Sequence, residues 1–151
     1  MTMFEVQDAD FETRVRAGFA GQNVMHMFKA EMTKVAPGEV EIQMPFNPEL
    51  TQQNGFLHAG VVTTILDSAC GFAAYSLMPT DAAVLTVEYK VNLVSPAKGD
   101  YMIARGRVAK PGRTITVCTG DVFAVADGKE KLVATMLATI MAIRNRADLM
   151  N

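Results

Sequence analysis

The chain predicts an α+β domain in which one long helix is embraced by a curved antiparallel sheet of about six strands, and three observations carry that prediction. A twenty-residue run, Ala59–Met78, is apolar or small almost throughout. Two segments of strand character precede it and four follow, separated by Pro-Gly and Asp-Gly turns. A helix that is apolar all round, outside a membrane, has to be surrounded by protein, and strands are the main material this chain offers for that.

Taken in order, Asp10 is placed to cap a short helix over Phe11–Ala20, where Phe11, Val15 and Phe19 recur at helical spacing. This helix packs as an outer lid. A strand is expected around Met25–Val35. Pro37-Gly38 then turns it into a second, where Val40, Ile42 and Met44 alternate with Glu39, Glu41 and Gln43. Pro45 and Pro48 end that pattern, and Asn47–Leu57 reads as a loop leading into the long helix. After Pro79 the alternation returns, with Leu85, Val87, Tyr89, Val91 and Leu93 facing one way and Thr86, Glu88, Lys90 and Asn92 the other. Further strands are expected near Tyr101–Lys110, Arg113–Val125 and Lys131–Ile143, so the last four strands read as an antiparallel meander. The tail from Arg144 to Asn151 is polar and expected to fray.

The bulk numbers bound the function. At 151 residues the chain suits one domain, 1–151, able to bury a core without disulfides or metal. A hydrophobic fraction of 50% with a formal charge of −2 gives no electrostatic footprint for nucleic acid. Cys70 and Cys118 form no CxxC pattern and no ligand spacing with His26 or His58. A reduced, cytoplasmic setting without a structural metal is therefore expected, with both thiols in the core. The N-terminal segment carries acids where an export signal has a basic region, and it lacks an apolar stretch. Asp67 in the middle of the apolar run, worth about 2.5–3.5 kcal/mol against insertion, argues against a membrane span.

A single apolar helix wrapped by a curved sheet resembles the hotdog fold. Its edge strands need cover, which a second copy of the chain supplies.

Asp67 is also the first pointer to chemistry. An ionised carboxylate among Val61, Val62, Ile65, Leu66, Ala69 and Phe72 is costly to desolvate and needs a partner, a raised pKa or a task. Nine residues earlier, His58 stands where the helix begins. The stretch Gln52-Gln53-Asn54-Gly55-Phe56-Leu57-His58-Ala59-Gly60, followed by Asp67, resembles the active-site segment of acyl-CoA thioesterases of the 4-hydroxybenzoyl-CoA and phenylacetate-pathway type. There an amide residue precedes G-x-hydrophobic-H-G-G, and an acid follows the His by nine. Ala59 stands where the first glycine of that pair is usual. The resemblance extends from about Phe19 to Ile143, through the V-x-V-x-x-x-V-x-x-V-S-P-A pattern at Val84–Ala97.

The resemblance implies a hydrolase that cleaves an acyl-CoA, with an aryl or medium-chain acyl group, to free acid and CoA. Asp67 is expected to act as general base or nucleophile, and Gln52 to orient water or substrate. The backbone N–H groups of Ala59 and Gly60 at the helix start would hold the oxyanion. Thr86 matches a position near the reacting water, although threonine is also an ordinary strand residue. His58 reads equally as an orienting group and as a cap for the helix. For the CoA phosphates the resemblance points to the turn carrying Lys110, Gly112, Arg113 and Thr114, with Lys98 nearby; by charge alone that turn is an ordinary solvated one. The family's arrangement places Gln52, His58 and Ala59 of one subunit against Asp67 of another. A homodimer or dimer of dimers is thus expected, with CoA entering as substrate and no separate cofactor.

Two alternatives stay open. One is a hydratase or dehydratase of the same fold, whose usual Asp/His pairing is not found around His58 and Asp67. The other is a non-catalytic acyl-CoA binding module, suggested by Ala59. Ser68 lacks the G-x-S-x-G surroundings of a serine hydrolase, and the eleven methionines read mostly as adaptable core filler.

Overall fold

The computed structural model describes residues 4–149. Its elements are α1 (Phe11–Ala20), α2 (Asn23–Met27), β1 (Glu31–Ala36), β2 (Glu39–Pro45), α3 (Ala59–Tyr75), β3 (Ala82–Leu93), β4 (Tyr101–Lys110), β5 (Ile115–Ala126) and β6 (Lys129–Arg144), with single 3-10 turns at Pro48–Leu50 and Ala147–Leu149. All six strands form one antiparallel sheet in the order β1-β2-β4-β5-β6-β3. The helix α3 packs against β2, β3, β4, β5 and β6, so the sheet wraps it as a hotdog fold.

Glycine decides how close the helix lies. Gly106 and Gly120 are directly paired across β4 and β5. A Cβ on Gly106 would lie 2.4 Å from the Ala69 backbone, and one on Gly120 would lie 2.7 Å from Leu66 Cδ1 and 2.8 Å from Cys70 Sγ. The helix therefore rests on bare sheet backbone at this point. Around it Ile42, Met44, Ile65, Leu66, Met102, Val122, Val133 and Ile140 are fully buried, and Cys70 and Cys118 sit unbridged in the same core. Burial pushes both thiols up, Cys118 to about 12, so neither is a ready nucleophile.

The turns follow their residues. Asp127 and Gly128 both adopt positive φ, 52° and 73°, as a two-residue hairpin turn between β5 and β6 requires. The C-terminus of α3 is closed by Arg14, whose Nη2 donates to Met78 O at 2.7 Å and to Tyr75 O at 3.3 Å while its Nε donates to Asp8 at 2.8 Å.

Several expectations need correction. The segment expected as a strand from Met25 opens instead with α2, because Met25 and Phe28 point together into the core one helical turn apart; β1 starts only at Glu31. Asp10 precedes α1 but makes no side-chain cap; the Asp8 carboxylate accepts from Asp10 N at 2.9 Å instead. The long helix stops at Tyr75, and Ser76–Met78 form a closing turn in front of Pro79. The meander holds only for β4, β5 and β6. β3 crosses to the far edge of the sheet and pairs with β6, leaving β2 free to pair with β4. At the C-terminus Arg144 is the last strand residue and pairs with Asp81 through two 3.0 Å bonds; Met150 and Asn151 lie outside the described residues.

Candidate active site

The loop before α3 is built by local hydrogen bonds. Gln52 N donates to Phe56 O at 2.8 Å, Gly55 N donates to Gln52 O at 3.0 Å, and Gly55 takes the positive φ of 81° that the turn demands. His58 N donates to Leu50 O and Leu57 N to Ala97 O, which ties the loop to both flanks. The Gln52 side-chain oxygen accepts from Asn54 N, so only its NH2 half is left to donate.

His58 is the N-cap of α3. Its Nδ1 accepts from Gly60 N at 2.9 Å, which places the ring proton on Nε2. A Cβ on Gly60 would lie 3.2 Å from that nitrogen, so a side chain there would press on the capping ring. Of the two backbone donors expected at the helix start, the Gly60 N–H is thus already taken. The Ala59 N–H, at the first helical position, has no intrahelical acceptor. Ala59 also lies outside the positive-φ residues of the chain, so alanine in place of glycine strains nothing there. Gln52, His58 and Ala59 line a cavity of about 460 Å³ together with Phe56, Leu93 and Pro96.

Asp67 does not face that cavity. Eight residues at 100° and 1.5 Å each carry it about 80° around α3 and about 12 Å along the axis from Ala59, the first helical residue. Its Oδ1 accepts a 2.8 Å bond from Thr86 Oγ1. Burial holds the Asp67 carboxyl above its usual range, and the Thr86 hydroxyl, by bonding the charged form, pulls the other way.

Thr86 reaches Asp67 because β3 is bulged. The β3/β6 register shifts between Thr86 and Glu88, leaving Val87 as the extra residue. Period-two reading of the sequence put Thr86 on the polar side with Glu88 and Lys90. In the structure the bulge resets the phase. Thr86 pairs with the buried Ile140, while Tyr89, Val91 and Leu93 lie opposite the buried Ala138, Met136 and Ala134. Leu85, Val87, Tyr89 and Leu93 remain between 43% and 54% exposed in the single chain, along an edge of the sheet.

The basic turn lies at the other end of α3. Gly112 and Arg113 border a cavity of about 450 Å³ with Leu77, Met78 and Arg144. Arg113 and Thr114 are exposed, Arg113 has no ion-pair partner among the described residues, and Lys110 Nζ donates to Pro111 O at 3.2 Å. Lys98 was expected near this turn, but it precedes β4 whereas Lys110 ends it. Ten strand residues, roughly 33 Å, separate the two within one chain.

Other candidates are structural. His26 is exposed and donates through Nε2 to Ala20 O at 2.6 Å, and Ser68 Oγ donates to Gln22 Oε1 at 2.9 Å. Among the described residues no cluster of three or more His, Cys, Asp or Glu could hold a metal ion, and no helix is long and apolar enough to cross a membrane.

The family model of the Thioesterase superfamily matches residues 54–131. The chain belongs to this superfamily. The match spans His58, Asp67, Thr86 and the basic turn, and leaves Gln52 just outside. Human acyl-coenzyme A thioesterase 13 is 30% identical over 104 residues, covering 67% of this chain and 72% of that protein. A thioesterase family protein from Silicibacter pomeroyi is 52% identical, with a TM-score of 0.88 over 89% of this chain and 99% of that one. The Escherichia coli PaaI protein from the phenylacetic acid degradation operon is 16% identical and shares the fold, with a TM-score of 0.80 over 91% of this chain and 96% of its own. As a member of the superfamily, the protein is a thioester hydrolase.

Proposed function

We propose that this thioesterase hydrolyses acyl-CoA, with a medium-chain or aryl acyl group, at sites formed between two copies of the chain. The observation that carries this reading is the separation of Asp67 from the helix start. One protomer offers a carboxylate with a hydroxyl partner and, about 12 Å away at the start of the same helix, a free backbone donor in a cavity. Neither half can hydrolyse a thioester without the other. A second copy supplies the missing half.

β3 is the edge through which the copies pair. It is long, apolar and unpaired on its outer side, the kind of edge that proteins cover. Antiparallel pairing with its counterpart sets the Leu93 end of one chain beside the Ala82 end of the other. Ala82 is paired with Arg144, and Ala142 N donates to Thr114 O at 2.8 Å, so Arg113 and Thr114 belong to that end as well. The dimer thus brings Lys98 of one chain towards Lys110 and Arg113 of the next, a basic rim for the CoA phosphates.

In the reaction, the Ala59 N–H and the α3 dipole stabilise the oxyanion while Asp67 of the facing copy takes a proton from water, or attacks the carbonyl carbon itself. Water, or the Asp67 carboxylate, adds to the carbonyl carbon, the C–S bond breaks and the leaving thiolate takes a proton to give CoA; where Asp67 is the nucleophile, water then hydrolyses the acyl-aspartyl anhydride, releasing the free acid and restoring the carboxylate. Gln52 positions the water or the thioester, and Thr86 fixes the carboxylate by its hydrogen bond. His58 acts through the cap it forms. The unbridged buried thiols agree with a reduced cytoplasmic setting. Neither a hydratase nor a silent binding module is favoured, since Ala59 leaves the donor in place without strain.

Complementation tests the reading. Asp67→Asn and Gln52→Ala chains, each inactive by itself, are dissociated, mixed and reassociated. Statistical mixing in a two-fold dimer returns about a quarter of wild-type thiol release, because half the dimers then hold one intact site. No recovery, with mixed dimers present, overturns the shared site.

A further inference from the structure

The face of the sheet turned away from α3 has two halves of different character. Its side chains alternate with the buried ones that touch the helix. On β2, β4 and β5 they include Glu39, Glu41, Arg105, Arg107 and Asp121, and these are ion-paired: Arg105 with Glu41 at 2.9 Å and with Glu130 at 2.6 Å, Arg107 with Asp121 at 3.1 Å, and Glu39 with Lys34 at 2.7 Å. The chain satisfies that half by itself. Towards the basic turn the outer residues are apolar. Leu85, Met141 and Ile115 stand in one row across β3, β6 and β5, flanked on the same face by Val117, Leu137 and Ile143. Leu85 is 48% exposed, Ile115 43% and Leu137 53%, so the described chain leaves them open.

Single exposed leucines need no explanation, but a contiguous apolar patch does. From Leu137 to Ile143 this one runs about 20 Å along β6, and it spans about 10 Å across three strands. Beside it, in the middle of β3, the outer residues are Glu88 and Lys90, opposite Thr139 and Leu137. Neither has an ion-pair partner among the described residues. The Glu88 carboxylate accepts from Thr139 Oγ1, and Lys90 Nζ donates to Asn92 Oδ1 at 2.8 Å. An apolar patch next to charges of both signs is complementary to a copy of itself turned about a two-fold axis. Pairing of two β3 edges sets two such patches on one continuous face, one on each side of the dimer axis. A partner that covers both at once shares that two-fold symmetry, and a second dimer meets the requirement.

We infer that this outer face of β3, β5 and β6 is the surface on which a second dimer packs, giving a dimer of dimers with its sheets back to back and its α3 helices outward. The inference rests on the β3 pairing proposed above and adds what covers the other face of the sheet. Four patches of about 200 Å² each, with the β3 strips between them, reach the roughly 1,000 Å² that a specific interface needs. Leu85, Ile115 and Leu137 bury their exposed surface there, and Glu88 and Lys90 find opposite charge across the contact. The ion-paired half of the face has its charges satisfied within the chain and recruits no further copy, so assembly closes at four chains.

The test measures mass in solution by light scattering and sedimentation over a range of concentrations, for wild type, Leu137→Glu and the milder Leu137→Ser, with folding followed by circular dichroism. Wild type is expected to sediment as four chains. Leu137→Glu is expected to sediment as two, with an unchanged far-ultraviolet spectrum. Leu137→Ser should raise the concentration of half-dissociation into dimers at least tenfold. A wild type that stays a dimer at every concentration overturns the assignment, as do four-chain particles that persist unweakened in both variants. Leu137 variants that fall to folded monomers overturn it as well, because the patch then belongs to the contact within a dimer. A monomeric wild type overturns instead the β3 pairing on which the assignment stands.

Discussion

The two sides of α3 obey different rules. On the side that faces the sheet, every group has a steric reason within one chain: Ala69 and Cys70 are small because Gly106 and Gly120 press against them, and Ile65 and Leu66 fill the space between strands. On the open side, Asp67 and Gly71 have no such reason. A half-buried carboxylate and an unpacked glycine each weaken an isolated protomer. Selection for stability explains the first side, and the second is intelligible only through what lies outside one chain.

The largest effect should come from breaking the packed side. Gly106→Val places a side chain 2.4 Å from the Ala69 backbone, where no rotamer relieves the clash. Overpacking of this kind costs about 1–3 kcal/mol and more where backbone has to move. Loss of soluble folded protein, or a large fall in Tm, is the expected result, and a near-normal melting curve would remove the argument for glycine here.

On the open side the same size of change should reach activity and spare the fold. Asp67→Asn is expected to lower kcat by about 10²–10⁴-fold with Tm unchanged or raised at neutral pH. The sign follows from burial. The folded state raises the pKa of Asp67 above its ordinary 3.8, so the native protein binds that proton more tightly than the unfolded chain does. The charged carboxylate therefore costs stability, with the cost absent below the unfolded pKa and complete above the folded one. The Tm advantage of Asp67→Asn should accordingly vanish in acid and grow as pH rises through that window; an advantage that shrinks with rising pH would refute the burial argument. For the wild type, the acid limb of kcat/KM should fall at a pH above the ordinary aspartate value, because the base is active only when ionised.

A smaller effect is expected at the basic rim. Arg113→Ala removes one charge-assisted phosphate contact, worth roughly tenfold in KM for acyl-CoA with kcat nearly unchanged. Lys98→Ala should add to it. If KM is unaltered in both, the rim is an ordinary solvated turn.

Much of this contrast was legible in the residues. The apolar run Ala59–Met78 announces a helix that must be enclosed, the paired Pro37-Gly38 and Asp127-Gly128 mark hairpins, and the stretch from Gln52 through His58 to Asp67 resembles an acyl-CoA thioesterase segment. Less legible was anything that depended on long-range pairing. Thr86 sits in an alternating strand whose pattern gives no hint of a bulge at Val87, yet that extra residue turns its hydroxyl towards Asp67. Likewise, nothing local to β3 says that it joins β6 in preference to β4. Nor does Gly60 reveal that His58 occupies its N–H, since a ring cap requires a backbone geometry that residue type does not specify.

By itself, then, the sequence determined the kinds of element and the chemical groups available, because helical and strand periodicity, turn residues and ionisable side chains act over a few neighbouring positions. The tertiary structure decided which strands adjoin, which way Thr86 faces, how near α3 comes to the sheet at Gly106, and that Asp67 stays outside the cavity at the helix start where the Ala59 N–H lies. These depend on packing between residues far apart in the chain, where a single bulge or a missing Cβ changes the outcome and leaves no periodic trace.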